Sequence, residues 1–140
     1  MNAAEITQYI VDTFPNVQTA DNYGDKFFFY GADHMRPFAT LATSDSDYDR
    51  YSNLSRPGVF RLNIGIRKDT FQHFFGTDRI VTDNHDFTQL DRIMPHPEYA
   101  AQFFICVVNP GEATLPTVKK LLAEAHAIAV YRDAKPEKPE

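Results

Sequence analysis

The chain has 140 residues, a single-domain length at which roughly 70% of the unfolded chain's surface is buried on folding. Its 43% apolar content, with 12 Phe, 7 Tyr and no Trp, excludes a disordered class and assigns much of the core to aromatic rings. A net charge of −5 argues against nucleic-acid binding, which draws most of its affinity from clustered Lys and Arg on phosphates.

The start, "MNAAEITQYIVDTF", lacks the basic and then uninterrupted apolar pattern of a signal peptide. No apolar run approaches the ~20 residues needed to span a bilayer. Asn2 followed by Glu5 has the form of a capping box, opening a helix that places Ile6, Tyr9, Ile10 and Phe14 on one face and stops at Pro15. "NVQTAD", "KFFFYG" and "PFATLAT" then read as three strands, the first two joined by a turn at Gly24-Asp25. The polar stretch "SDSDYDRYSNLSRPG" reads as a surface loop, long enough to raise the chance of a functional role.

A fourth strand, Val59 to Ile66, alternates Phe60, Leu62 and Ile64 with Arg61 and Asn63. "RKDTFQHFFG" reads as a short helix with Phe71, Phe74 and Phe75 on one side, ended by Gly76. A second polar stretch runs from Thr77 to Gln89, and "FFICVV" from Phe103 to Val108 reads as a central strand covered on both faces. Thr114 is expected to cap a last helix with Val118, Leu121, Leu122, Ala125 and Ile128 along its apolar stripe. The closing "AKPEKPE", residues 134–140, has nothing to pack and reads as a disordered charged tail. No repeat or linker divides residues 1–133. The expected fold is a single α+β domain, with a mainly antiparallel sheet of about five strands and helices at the N-terminus, middle and C-terminus.

"PFATL", "RPGVFRLNIGI", "MPHPEYA" and "VVNPGE" before an amphipathic helix together resemble an uncharacterised bacterial family, domain of unknown function 6194, over nearly the whole chain. More distantly, the element order is similar to that of the MmcQ/YjbR-like proteins, whose small α+β fold has been described as DNA-binding-like. The resemblance implies a fold and a cytoplasmic bacterial setting, but no reaction and no catalytic residue. A single cysteine agrees with a reducing compartment, since it permits neither an internal disulfide nor a multi-thiolate zinc site.

Two constellations carry candidate chemistry. On the fourth strand, Arg61 and Asn63 share the face opposite the apolar set. They are either ordinary residues of a half-solvated sheet face or the polar centre of an aromatic-walled pocket, because "KFFFY" cannot hide every ring on one side. With Arg56 and Tyr30 they form the candidate site for a small polar or anionic ligand. In "MPHPEYA", His96 stands between two prolines that stiffen its loop, with Glu98 placed to set its tautomer. That pair suits a small hydrolase or isomerase using His96 as acid and base, although a rigid loop whose His caps a backbone group has the same pattern.

"TDNHD", with Asp83, His85 and Asp86, and the Asp33-His34 pair have no recognised ligand spacing and read as solvated loops rather than a metal site. Cys106 reads as core, and His73 and His126 as surface residues. No phosphate-cradling glycine loop, nucleophile elbow or Rossmann fingerprint is present, so no cofactor is expected. The reading that combines these features is a binding module. An enzyme built on His96 and a homodimer joined through an aromatic sheet face are the alternatives; convergence of Arg61 and His96 on one cleft would favour catalysis, and their separation by the sheet would leave binding or packing.

Overall fold

The computed structural model describes residues 1–77 and 84–134. The expected tail beyond Ala134, and Asp83 with its neighbours in the second polar stretch, lie outside the described residues.

Helix α1 (Ala3–Thr13) opens on the expected capping box: Asn2 Oδ1 accepts from the Glu5 N–H, and Glu5 Oε1 accepts from that of Asn2. It leads into strands β1 (Val17–Asn22), β2 (Asp25–Tyr30), β3 (Ala39–Ala42) and β4 (Arg61–Gly65). Helix α2 (Lys68–Phe75), strand β5 (Met94–Pro95), a 3₁₀ turn at Ala100–Gln102, strand β6 (Phe104–Val108) and helix α3 (Leu115–Ala134) complete the chain. The fold is α+β, and the sheet has six antiparallel strands in the order β1-β2-β3-β4-β6-β5.

The sixth strand lies in the "MPHPEYA" stretch, which reads as loop by composition. Pro95 is tolerated there because β5 is an edge strand, where a missing N–H breaks no inner ladder. The β1–β2 turn falls at Tyr23-Gly24, one residue earlier than the dipeptide suggests; Gly24 takes φ +86°, and Asp25 is already paired as the first residue of β2.

Register makes the two sheet faces distinct. Phe28, Ala39, Ile64 and Ile105 form one row across β2, β3, β4 and β6, and Leu41, Leu62 and Val107 another. These rows are buried under Ile6 and Ile10 of α1, Phe71 of α2 and the Val118, Leu121, Leu122, Ala125 and Ala129 stripe of α3. Each fully buried Leu, Ile or Phe contributes about 1.5–3 kcal/mol, so this face holds the domain together. The α3 stripe is rotated from its expected line: His126 is buried, stacked on Phe14 at 5.0 Å and bonded through Nε2 to the Pro15 carbonyl at 3.0 Å, while Ile128 is half-buried. The expected surface position of His126 is therefore overturned.

The start of α3 also differs from expectation. Thr114 Oγ1 donates to Asp91 at 2.6 Å, and the same Asp91 carboxylate accepts the N–H groups of Gly111, Ala113 and Thr114. Thr114 keeps its place before the helix, its carbonyl accepting from the Val118 N–H, but its hydroxyl is turned to Asp91, a distant residue (φ +55°) whose carboxylate ties down the turn leading into α3.

No helix among the described residues is long and apolar enough to cross a membrane.

Candidate functional site

Among the described residues, none of the three α-helices lies over the second sheet face. Its rows are Phe27, Thr40, Asn63, Cys106 and Met94, and Asp25, Ala42, Arg61 and Val108. Towards β5 it is closed by a small cluster of Phe87, Met94 and Cys106. Burial pushes the Cys106 thiol up to about 12, as its core reading implies. Towards β2 and β3 the face is open, and over it the loop between β3 and β4, the β1–β2 turn and the segment after β5 enclose a cleft of about 860 Å³.

Arg61 and Asn63 lie in the floor of this cleft, and His96 and Glu98 line its wall. The two candidate constellations therefore converge. Arg61 is 1% exposed, which is possible for a cation only with an ion partner. That partner is Asp49, whose two carboxylate oxygens accept from both terminal nitrogens of the guanidinium. Arg61 Nε–H also donates to Asn63 Oδ1 at 3.0 Å, and Nη1 to Ser52 Oγ at 3.2 Å. Four hydrogen bonds thus engage a group with five N–H donors. Asn63 passes the network on by donating to Thr40 Oγ1 at 3.0 Å.

Burial raises the Asp49 carboxyl, but the hydrogen bonds and charge of Arg61 outweigh it and hold the group below its ordinary value. Burial alone would lower Arg61, and the same pairing raises it. Asp25, half-buried two strands from Arg61 in the same row, is shifted the other way: burial, and then the nearby Asp49 charge, raise its carboxyl above the usual range.

His96 is buried, and its Nδ1 accepts two backbone N–H groups, from Glu98 and Tyr99, each at 3.0 Å. Nδ1 must then be the unprotonated nitrogen, which leaves the proton on Nε2, without a protein partner among the described residues. Burial and the Arg61 charge lower the imidazole to about 3, so the ring stays neutral and its one N–H is a fixed donor in the cleft wall.

Three candidates take other roles: Glu98 stays in the cleft wall, and Arg56 and Tyr30 lie outside the cleft. Glu98 contributes its backbone N–H to His96, whereas its carboxylate accepts from the Tyr51 hydroxyl at 2.8 Å. Arg56 clamps the β3–β4 loop by donating to the carbonyls of Ser52, Asn53 and Thr88, and borders a smaller hollow beside α1. Tyr30, by its alternation with Phe29, lies on the helix-covered face and packs edge-on to His126 at 5.3 Å. Its even spacing from Phe28 was the signal that it belongs to the core. Of the "TDNHD" residues within the described range, His85 packs beside Phe87 and Asp86 accepts from the Thr88 N–H in a local turn.

The family model described as "Family of unknown function (DUF6194)" matches residues 1–138. The chain belongs to that family. No curated protein and no solved structure matches this DUF6194 chain. The role of its cleft therefore has to be read from chemistry.

Composition missed Asp49 and Asp25. Asp45, Asp47 and Asp49 alternate in one polar loop, and only a tight turn in which Ser46 and Asp49 exchange backbone hydrogen bonds aims the third of them at Arg61. The useful signal was Arg61 itself, since an arginine in an otherwise buried strand requires a carboxylate somewhere. The cleft rim carries Tyr23, Met35 and Tyr48, which are 92%, 87% and 89% exposed. Large apolar groups held out in water around a polar floor are the usual makeup of a surface that meets an organic ligand.

Proposed function

We propose that this protein is a binding module for a small polar organic molecule, held in the cleft on the second sheet face and working in the cytoplasm of a bacterium. The observation that carries the proposal is the cleft of about 860 Å³ lined by Asn63, Thr40 and a buried imidazole whose Nε2–H has no protein partner among the described residues. That volume is within the range of small-molecule sites, roughly 300–1,000 Å³. Arg61 acts as the keystone of the floor, because Asp49 and Asn63 already engage it, and the ligand is met by the side chains around it.

The enzyme reading draws support from the convergence of His96 with Arg61. The tautomer favours a donor over a base, since moving the proton to Nδ1 would face it against two N–H groups. In a reaction, His96 would polarise an acceptor oxygen and another group would move the proton.

A fragment screen on ¹⁵N-labelled protein tests the proposal. Hits are expected to shift the amides of Thr40, Asn63, Tyr99 and Phe104 together. Hits that gather instead at the hollow beside Arg56, or along β1, would overturn it.

A further inference from the structure

The charges of the cleft do not balance. Asp25, Asp47, Asp49 and Glu98 line it against a single cation, Arg61, with His96 held neutral. Three of the four carboxylates are already occupied: Asp49 by Arg61, Asp47 by Arg50 at 3.2 Å and Glu98 by the Tyr51 hydroxyl at 2.8 Å. Asp25 has no hydrogen-bond donor on its carboxylate among the described residues, although it is half-buried in the floor. Ala42 separates it from Arg61 in the same row, and all three residues line the cleft. Phe27, two residues along the same face, and Tyr23, just before it in the turn, bring aromatic rings to the lining of the same cleft. On the β5 side of the cleft, the buried His96 offers an Nε2–H that has no protein partner among the described residues.

An anion entering this cleft meets three uncompensated or weakly compensated carboxylates and a guanidinium whose charge is already engaged. A cation meets an unpaired carboxylate and aromatic faces, both of which attract it. Building on the cleft reading above, we propose that the ligand is a protonated amine carried on a flat or alkyl body, with its ammonium group on Asp25 and a hydrogen-bond acceptor at its other end on His96 Nε2–H. Asp25 is then the residue that sets specificity for charge. Burial, and then the Asp49 charge, raise the proton affinity of that carboxylate, and an arriving ammonium group offsets both.

Three probes of nearly equal shape separate the possibilities in an NMR titration at neutral pH: tyramine, its anionic counterpart 3-(4-hydroxyphenyl)propionate, and uncharged 4-ethylphenol. Tyramine is expected to shift the cleft amides with an affinity at least about fivefold above either of the others, the equivalent of one favourable ion pair. Asp25→Asn is expected to bring tyramine down to the level of 4-ethylphenol while leaving 4-ethylphenol itself unchanged. Asp25→Ser serves as a second variant with a smaller side chain, should the amide not be accommodated. If the propionate binds the cleft as well as tyramine does, or if both variants leave tyramine unaffected, the amine assignment fails and the cleft reading stands. If none of the three probes shifts a cleft amide at millimolar concentration, both fail.

Discussion

Arg61 is a cation in a position that a hydrophobic residue would fill more simply, and its neighbours are arranged around that fact. Removing the charge of its partner leaves a buried guanidinium unpaired, so Asp49→Asn is expected to cost about 3 kcal/mol, read as a lowered urea midpoint with an unchanged slope. Acidification does the same more gradually. Asp49 has a folded-state pKa below its unfolded one, so its stabilisation is complete above the unfolded value and is lost as the pH falls through the folded one. His96 acts in the same direction for a different reason. Its imidazole is neutral in the fold down to about pH 3 but charges from 6.5 downward in the unfolded chain, so stability drains away between those values. The full loss is roughly 5 kcal/mol. His96→Asn keeps an acceptor for the two N–H groups and has nothing to titrate; its urea stability is expected to be nearly flat from pH 6.5 to 4.5, where the wild type declines. A parallel decline in both proteins would contradict the neutral, buried imidazole. The placement of Arg61 was legible, because strict alternation puts it opposite Phe60, Leu62 and Ile64. Its partner was not, because pairing across twelve residues depends on how a polar loop folds back.

Among the elements, those whose boundaries are written locally were the easiest to read. The Asn2–Glu5 capping box and the Phe71, Phe74 and Phe75 side of α2 both rest on residues three or four apart, the spacing at which helical side chains meet. The ends of α2 and α3 that rely on distant residues were illegible for the same reason. The N-terminus of α2 has no side-chain cap of its own; Glu124 of α3 accepts from the Arg67 N–H at 3.0 Å and the Thr70 hydroxyl at 2.9 Å. Asp91 performs this service for the turn leading into α3. Asp91→Ala would release the donors of Gly111, Ala113 and Thr114 from a carboxylate, and about 2 kcal/mol of stability is expected to go with them. Asp91→Asn should recover part of that, since Oδ1 still accepts, and thermal melts of the two variants check the order. Gly65 illustrates a subtler dependence: a Cβ there would approach the Phe104 ring to 3.0 Å, so the absence of a side chain on β4 is what lets an aromatic on β6 lie flat against the floor and wall the cleft.

At the scale of the molecule, a sheet with the three α-helices of the described residues on one face behaves as a two-layer domain whose other side is furnished by loops. Amides of β4 and β6 near Leu62, Ile64, Ile105 and Val107 are expected to exchange with deuterium only through global unfolding, because these residues are fully buried between neighbouring strands and helices. β1, an edge strand without a fully buried residue, and the exposed Asp47-Tyr48 tip of the β3–β4 loop should exchange by local opening, orders of magnitude faster. Uniform protection across the sheet would count against this division. The layered arrangement was readable from the two apolar periodicities in the chain. The cleft was not, because concavity arises from how the β1–β2 turn, the β3–β4 loop and the segment after β5 rise over the open face, and no local pattern encodes their meeting.

The sole cysteine, Cys106, is sealed beneath that face with its thiol held far from ionisation at neutral pH. Maleimide chemistry should therefore pass the native chain by. A cysteine introduced at Tyr48, on the rim and almost wholly exposed, would become the one site for a fluorophore or a spin label, and the cleft could be watched directly while candidate amines are added.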